Sequence, residues 1–76
     1  MLVNVDYFNK GGLYMEYYLV IIQADNDGTF KSVIQKIACK QMPKPHFRYT
    51  KNGTIYYKAF SMVEDAKRFI DYIKGE

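Results

Sequence analysis

Seventy-six residues, 49% of them hydrophobic and 17% aromatic, describe a chain that folds rather than one that stays disordered. A chain this short buries only about 60% of its unfolded surface, so the expectation is one compact domain spanning residues 1 to 76, without a separate cofactor-binding unit. The formal net charge of +3 is mild and contains no run of five basic residues, which excludes a basic nucleic-acid-binding tail.

The first stretch, residues 2 to 8, alternates: Val3, Val5 and Tyr7 fall on one side, Asn4 and Asp6 on the other. That is the pattern of a half-buried strand. Asn9-Lys10-Gly11-Gly12 follows as a turn. The longer run from 13 to 24 is rich in β-branched and aromatic residues and reads as a central strand. Leu13, Met15, Tyr17, Leu19 and Ile21 share one of its faces; Tyr14, Glu16, Tyr18, Val20 and Ile22 share the other, which turns apolar late and needs a cover.

Asp25-Asn26-Asp27-Gly28 breaks the strand. From Thr29 the apolar residues Phe30, Val33, Ile34, Ile37 and Ala38 recur at helical spacing, with Lys31, Ser32, Gln35, Lys36 and Lys40 opposite. This predicts an amphipathic helix of about three turns over 29 to 40, capped by Asp27 or Thr29. The alternative is that residues 29 to 40 form a strand paired to 13 to 24 through the turn, giving a β-rich sheet with one C-terminal helix.

Met42-Pro43-Lys44-Pro45 cannot continue a helix and reads as an extended connector. Asn52-Gly53 then marks a β-hairpin, because both central residues of a type I′ turn need positive φ. With those two residues as the loop, Lys51 faces Thr54, Tyr49 faces Tyr56 and Phe47 faces Lys58. Ser61 and Glu64 have the spacing of a capping box ahead of a helix over 62 to 74, whose core side carries Val63, Ala66, Phe69, Ile70 and Ile73. Gly75 stands where a left-handed terminator belongs. The fold class that follows is α+β: a two-layer sandwich of a four-stranded antiparallel sheet with two helices on one face, in the order β-β-α-β-β-α.

No motif carries a specific chemistry. An EF-hand register over the Asp25–Gly28 turn would put Gln23 at the first ligand position and Ile34 where a bidentate Glu is required, so the turn reads as a polar reversal. His46, the only histidine, has no partner at zinc spacing, and Cys39, the only cysteine, has no base to activate it. Gly11-Gly12 lacks the ending of a phosphate-binding loop. Glu64 and Asp65 suit the positive end of a helix. The reading is therefore non-enzymatic, with no catalytic, cofactor-binding or metal residues. A single thiol permits no intrachain disulfide, the longest apolar run, residues 17 to 22, is far below a membrane span, and the first residues lack a basic leader pattern; a cytoplasmic location is the expectation.

The hairpin carries the functional hint. If Phe47, Tyr49, Tyr56 and Phe60 pack on the helices, then His46, Arg48, Thr50 and Tyr57 lie open, joined by Tyr14, Glu16 and Tyr18 of the preceding strand. Such a surface suits a protein partner, a second copy of the chain included, because Tyr and Arg give large semi-rigid contact area with a polar handle. The tentative partner-binding set is Tyr14, Tyr18, His46, Arg48 and Tyr57. The alternative is nucleic-acid binding through Arg48, Lys51, Tyr57 and Lys58, since basic residues between aromatics can pair phosphates and stack bases. No membrane or small-molecule partner is expected. No family is recognised; the stretch YYKAFSMVEDAKRFIDYI is similar in cadence to small bacterial and phage domains, including the three-stranded arm-binding domains of some integrases. The likeness is confined to residues 56 to 73 and carries no residue's role with it.

Overall fold

The computed structural model describes residues 14 to 75, so the strand and turn expected over residues 2 to 12 lie outside the described part. The elements are β1 (Met15–Asp25), β2 (Phe30–Cys39), β3 (His46–Thr50), β4 (Gly53–Phe60) and α1 (Val63–Lys74). The strands form one antiparallel sheet in the order β2-β1-β4-β3, with α1 against one face. The α+β class and the four-stranded antiparallel sheet stand. Among the described residues there is one helix and not two, and the order is β-β-β-β-α.

The expected helix over 29 to 40 is the strand β2. Its apolar set has helical spacing and as a strand divides between both faces, but its β-branched residues suit a strand and the turn before it decides. Gly28 takes the left-handed conformation at φ 92, and its N–H donates to Asp25 O at 3.0 Å. Asp27 Oδ1 accepts from the Thr29 N–H at 2.9 Å and from Thr29 Oγ1 at 2.8 Å. This closes a tight reversal that sets Ala24 opposite Phe30 and lets the ladder zip as far as Met15 opposite Cys39. An isolated three-turn helix is marginal, whereas a long registered ladder places the β-branched Val33, Ile34 and Ile37 where they pack well.

Those bonds hold the Asp27 carboxyl below the ordinary carboxylate value of 3.8, the Thr29 backbone N–H being the main cause. A lowered folded-state value means a contribution that is present above the ordinary carboxylate range and is lost as pH falls through the lowered value. Asp27→Asn is expected to remove that acid-limb contribution, read as a flatter dependence of the urea midpoint on pH below the ordinary value. Identical limbs in the two proteins would show that the turn bonds are not formed in solution.

The hairpin between β3 and β4 forms, but not through a type I′ turn. Neither Asn52 nor Gly53 has positive φ, and the pairs are His46 with Tyr57, Phe47 with Tyr56, Tyr49 with Thr54 and Thr50 with Gly53. The loop is thus Lys51-Asn52, and the register is two residues from the expected one. A shift of two keeps every side chain on its expected face. Thr50 holds the reversal instead of a left-handed residue. Its hydroxyl donates to Gly53 O at 3.1 Å and accepts from the N–H groups of Asn52 and Gly53 at 3.3 and 3.1 Å. The two turns are tied together, because the Asn26 N–H donates to Asn52 O at 2.6 Å.

The central strand β1 carries the core. Val20 is fully buried and packs with Ile22, Ala66 and Ile70, surrounded by Tyr18, Ile34, Tyr56, Phe60 and Phe69. Phe69 lies between Tyr56 and Phe60, with ring centroids 6.2 and 5.3 Å away. The helix that supplies Ala66, Phe69 and Ile70 starts differently from expectation: Met62 is its N-cap, in extended conformation, and no side chain caps it. Starting at Val63 puts Glu64 and Asp65 in the first turn as charges at the positive end, and the Ser61–Glu64 capping box does not form. Gly75 ends it as expected, at φ 83, donating to Asp71 O and Tyr72 O.

Cys39 and His46 stand on opposite edge strands, so residues 40 to 45 cross the width of the sheet. Three strand spacings come to about 14 Å, and His46, aligned with Ile21, lies about 20 Å further along the strands than Cys39, aligned with Met15, so the connector spans roughly 24 Å, close to the full reach of an extended chain of that length. The two prolines there keep that connector extended.

Candidate functional site

Alternation along the strands follows from the core. Val20 and Ile22 point at α1, so the odd-numbered residues of β1 point away from it. The pairing then lays out the opposite face in rows. One row runs Lys31, Gln23, Ile55, Arg48 across β2, β1, β4 and β3; the next runs Val33, Ile21, Tyr57, His46; the third is Gln35, Leu19, Ala59. Beyond these, Ile37 pairs with Tyr17 and Cys39 with Met15.

The face is not uniformly accessible. Tyr17 and Ala59 are buried at 8% and 5% exposure, whereas Val33 is 50% exposed and His46 and Arg48 are exposed. The accessible part is therefore the first two rows. His46 stacks on Tyr57 there, with ring centroids 4.5 Å apart and planes 14° from parallel. The imidazole is held from behind, since Nδ1 donates to Lys44 O at 3.1 Å. A cleft of about 310 Å³ opens beside this pair, lined by Ile21, Gln23, Lys31, Ser32 and Val33.

Of the expected partner-binding residues, His46, Arg48 and Tyr57 come together on this face. Tyr18 does not: it lies on the helix face, packed against the core, as its even position on β1 dictates. Glu16 is on that face too, with Lys36 Nζ 3.3 Å from its carboxylate. Tyr14 precedes β1 and is half-buried. The residues from β1 that do join are Ile21 and Gln23, and β2 adds Lys31 and Val33. Reading 29 to 40 as a helix hid the last two; the strand alternative would have placed them.

The set expected for nucleic acid is divided. Arg48 and Tyr57 are on the open face, Lys51 is in the hairpin loop, and Lys58 is on the helix face with its Nζ 5.3 Å from the centroid of the Phe60 ring. The aspartates at the other turn border a polar cavity of about 290 Å³ with Asn26 and Asn52. Among the described residues no three His, Cys, Asp or Glu side chains gather as a metal site requires. Cys39 is half-buried on the opposite edge strand from His46 and three rows away, so the thiol and imidazole do not form a pair. Among the described residues no helix is long and apolar enough to cross a membrane.

No protein-family model matches the chain, and no curated protein and no solved structure matches it significantly.

Proposed function

We propose that the chain is a non-enzymatic protein-binding module whose contact surface is the sheet face opposite α1. The observation that supports this is the apolar-aromatic patch of exposed Val33 and half-buried Ile21 and Ile55 with the stacked His46–Tyr57 pair, on the side of the sheet opposite α1. Apolar side chains rimmed by a few polar ones are the usual make-up of an interface centre. The stacked pair enters a complex already ordered, which lowers the side-chain entropy cost of association. The dispersal of Lys51 and Lys58 away from this face favours protein over nucleic acid, because a phosphate backbone rewards cations gathered along one track.

The test is affinity capture from the host after nuclease treatment, run in parallel with Val33→Asp and Tyr57→Asp. Both side chains stand off the α1-side core, so the variants are expected to stay folded by circular dichroism. Partners, or a second copy detected by sedimentation, should be retained by the original protein and lost by both variants. Capture that disappears with nuclease sinks the protein-binding reading.

A further inference from the structure

The first row of the open face has a charge pattern that specifies its occupant. Lys31 stands on edge strand β2 and Arg48 on edge strand β3, with Gln23 and Ile55 between them. Neither cation has an ion-pair partner among the described residues, in contrast to Lys36 and Arg68. Lys31 acts on the Asp27 carboxyl of the preceding turn only as the weakest of the influences that lower it, and Asp27 is already held by the Thr29 N–H and hydroxyl; Asp25, on this face, accepts from Gln23 Nε2 at 2.9 Å. Two cations therefore bracket a short floor of Gln23 and Ile55, with the Ile21–Val33 cleft alongside.

Building on the protein-binding reading, we propose that this face takes an acidic segment of a partner protein that crosses the strands in extended conformation. Lys31 and Arg48 are three strand spacings apart, about 14 Å, and an extended chain covers that in about four residues. The alternation of an extended chain then puts two carboxylates and the residue midway between them on the same side. The carboxylates meet Lys31 and Arg48, and an apolar residue between them meets Ile55 and the mouth of the cleft. Arg48 can take its carboxylate in bidentate fashion, which fixes the orientation of the segment. A second copy of this chain is a poorer occupant: Glu64, Asp65 and Asp71 lie on a helix, Glu16 is paired with Lys36, and Asp25 and Asp27 are engaged in and beside the tight turn.

The probe is the fluorescein-labelled peptide GESLSEG, blocked at its C-terminus, with GQSLSQG and GKSLSKG as its neutral and cationic counterparts. At low salt the acidic peptide should bind the original protein about tenfold more tightly than the neutral one, the effect expected of two rim ion pairs acting together. Lys31→Glu combined with Arg48→Glu should lose that preference and gain one for the cationic peptide; both positions are exposed, so the fold should be kept. Equal binding of the acidic and neutral peptides overturns the acidic partner, as does an acidic preference that the double variant retains. A dimer of the original protein that the double variant dissociates overturns it too, in favour of a second copy. If nuclease-resistant capture through Val33 and Tyr57 persists while the peptides fail, only the acidic specificity falls; if capture fails as well, the binding-module reading falls with it.

Discussion

Val20→Asp is expected to leave the protein unfolded at 25 °C. Val20 is fully buried on the central strand, between β2 and β4 and beneath Ala66 and Ile70 of α1. A carboxylate there meets only apolar groups. It must be buried as an ion or take up a proton, and either course costs roughly 3 kcal/mol or more. The lost valine packing adds about 1–2 kcal/mol. A domain of this length has roughly 4–8 kcal/mol of stability in total, so the sum consumes most or all of it. Val20→Ala should cost about 2 kcal/mol and stay folded. Circular dichroism with urea titration separates these outcomes. A cooperative transition for Val20→Asp near the original midpoint would mean that the helix does not pack over β1.

The second large effect is expected at Gly53. Glycine stands there because of close approach rather than φ. A Cβ on Gly53 would run into the backbone carbonyl oxygen of Ala24 and lie 2.7 Å from the Cα of Asp25. Both are backbone atoms of the neighbouring central strand, so neither can swing aside as a side chain would. Gly53→Ala must separate β4 from β1 at the end where the two turns are linked through Asn26 and Asn52. A loss of about 2–3 kcal/mol follows. Asn52→Ala should cost only about 0.5 kcal/mol, because the bond to Asn26 uses the backbone oxygen of Asn52 and its φ is negative. A left-handed turn would make Asn52→Ala costly as well, about 1 kcal/mol, so the Asn52→Ala midpoint discriminates between the two reasons for a glycine at position 53.

The Asn52-Gly53 pair illustrates how a sequence signal can be right about an element and wrong about its physics. The dipeptide correctly marked a reversal, yet the reversal is closed by Thr50, and the glycine makes room for the central strand at Ala24, 29 residues earlier in the chain. Only the β1–β4 pairing brings Ala24 there. Ser61 and Glu64 failed for a related reason. Their spacing fits a capping box, but the chain leaves β4 extended as far as Met62, and the helix starts one residue later than the box needs.

Along β1 and within the hairpin, the period of two sorted the residues into two faces correctly, and a register slip of two could not change that; which face of β1 continues which face of the hairpin was expected the wrong way round, since Ile21 rather than Tyr18 lines up with Tyr57. The C-terminal helix was equally legible, since Ala66, Phe69 and Ile70 recur at a spacing no strand would use. These features depend on local periodicity, turn residues and length, which a sequence carries by itself. What only the tertiary structure decided was the state of residues 30 to 39 and the membership of the open face. Phe30, Val33, Ile34, Ile37 and Ala38 follow the helical period and, in a strand, divide between its two faces, so local pattern points to a helix; the β-branched side chains and the available partner strand β1 override it. Once β2 pairs with β1, Lys31 and Val33 fall in line with Arg48 and Tyr57, residues far from them in the chain. Tyr18 turns inward because its neighbours Val20 and Ile22 are the ones α1 covers.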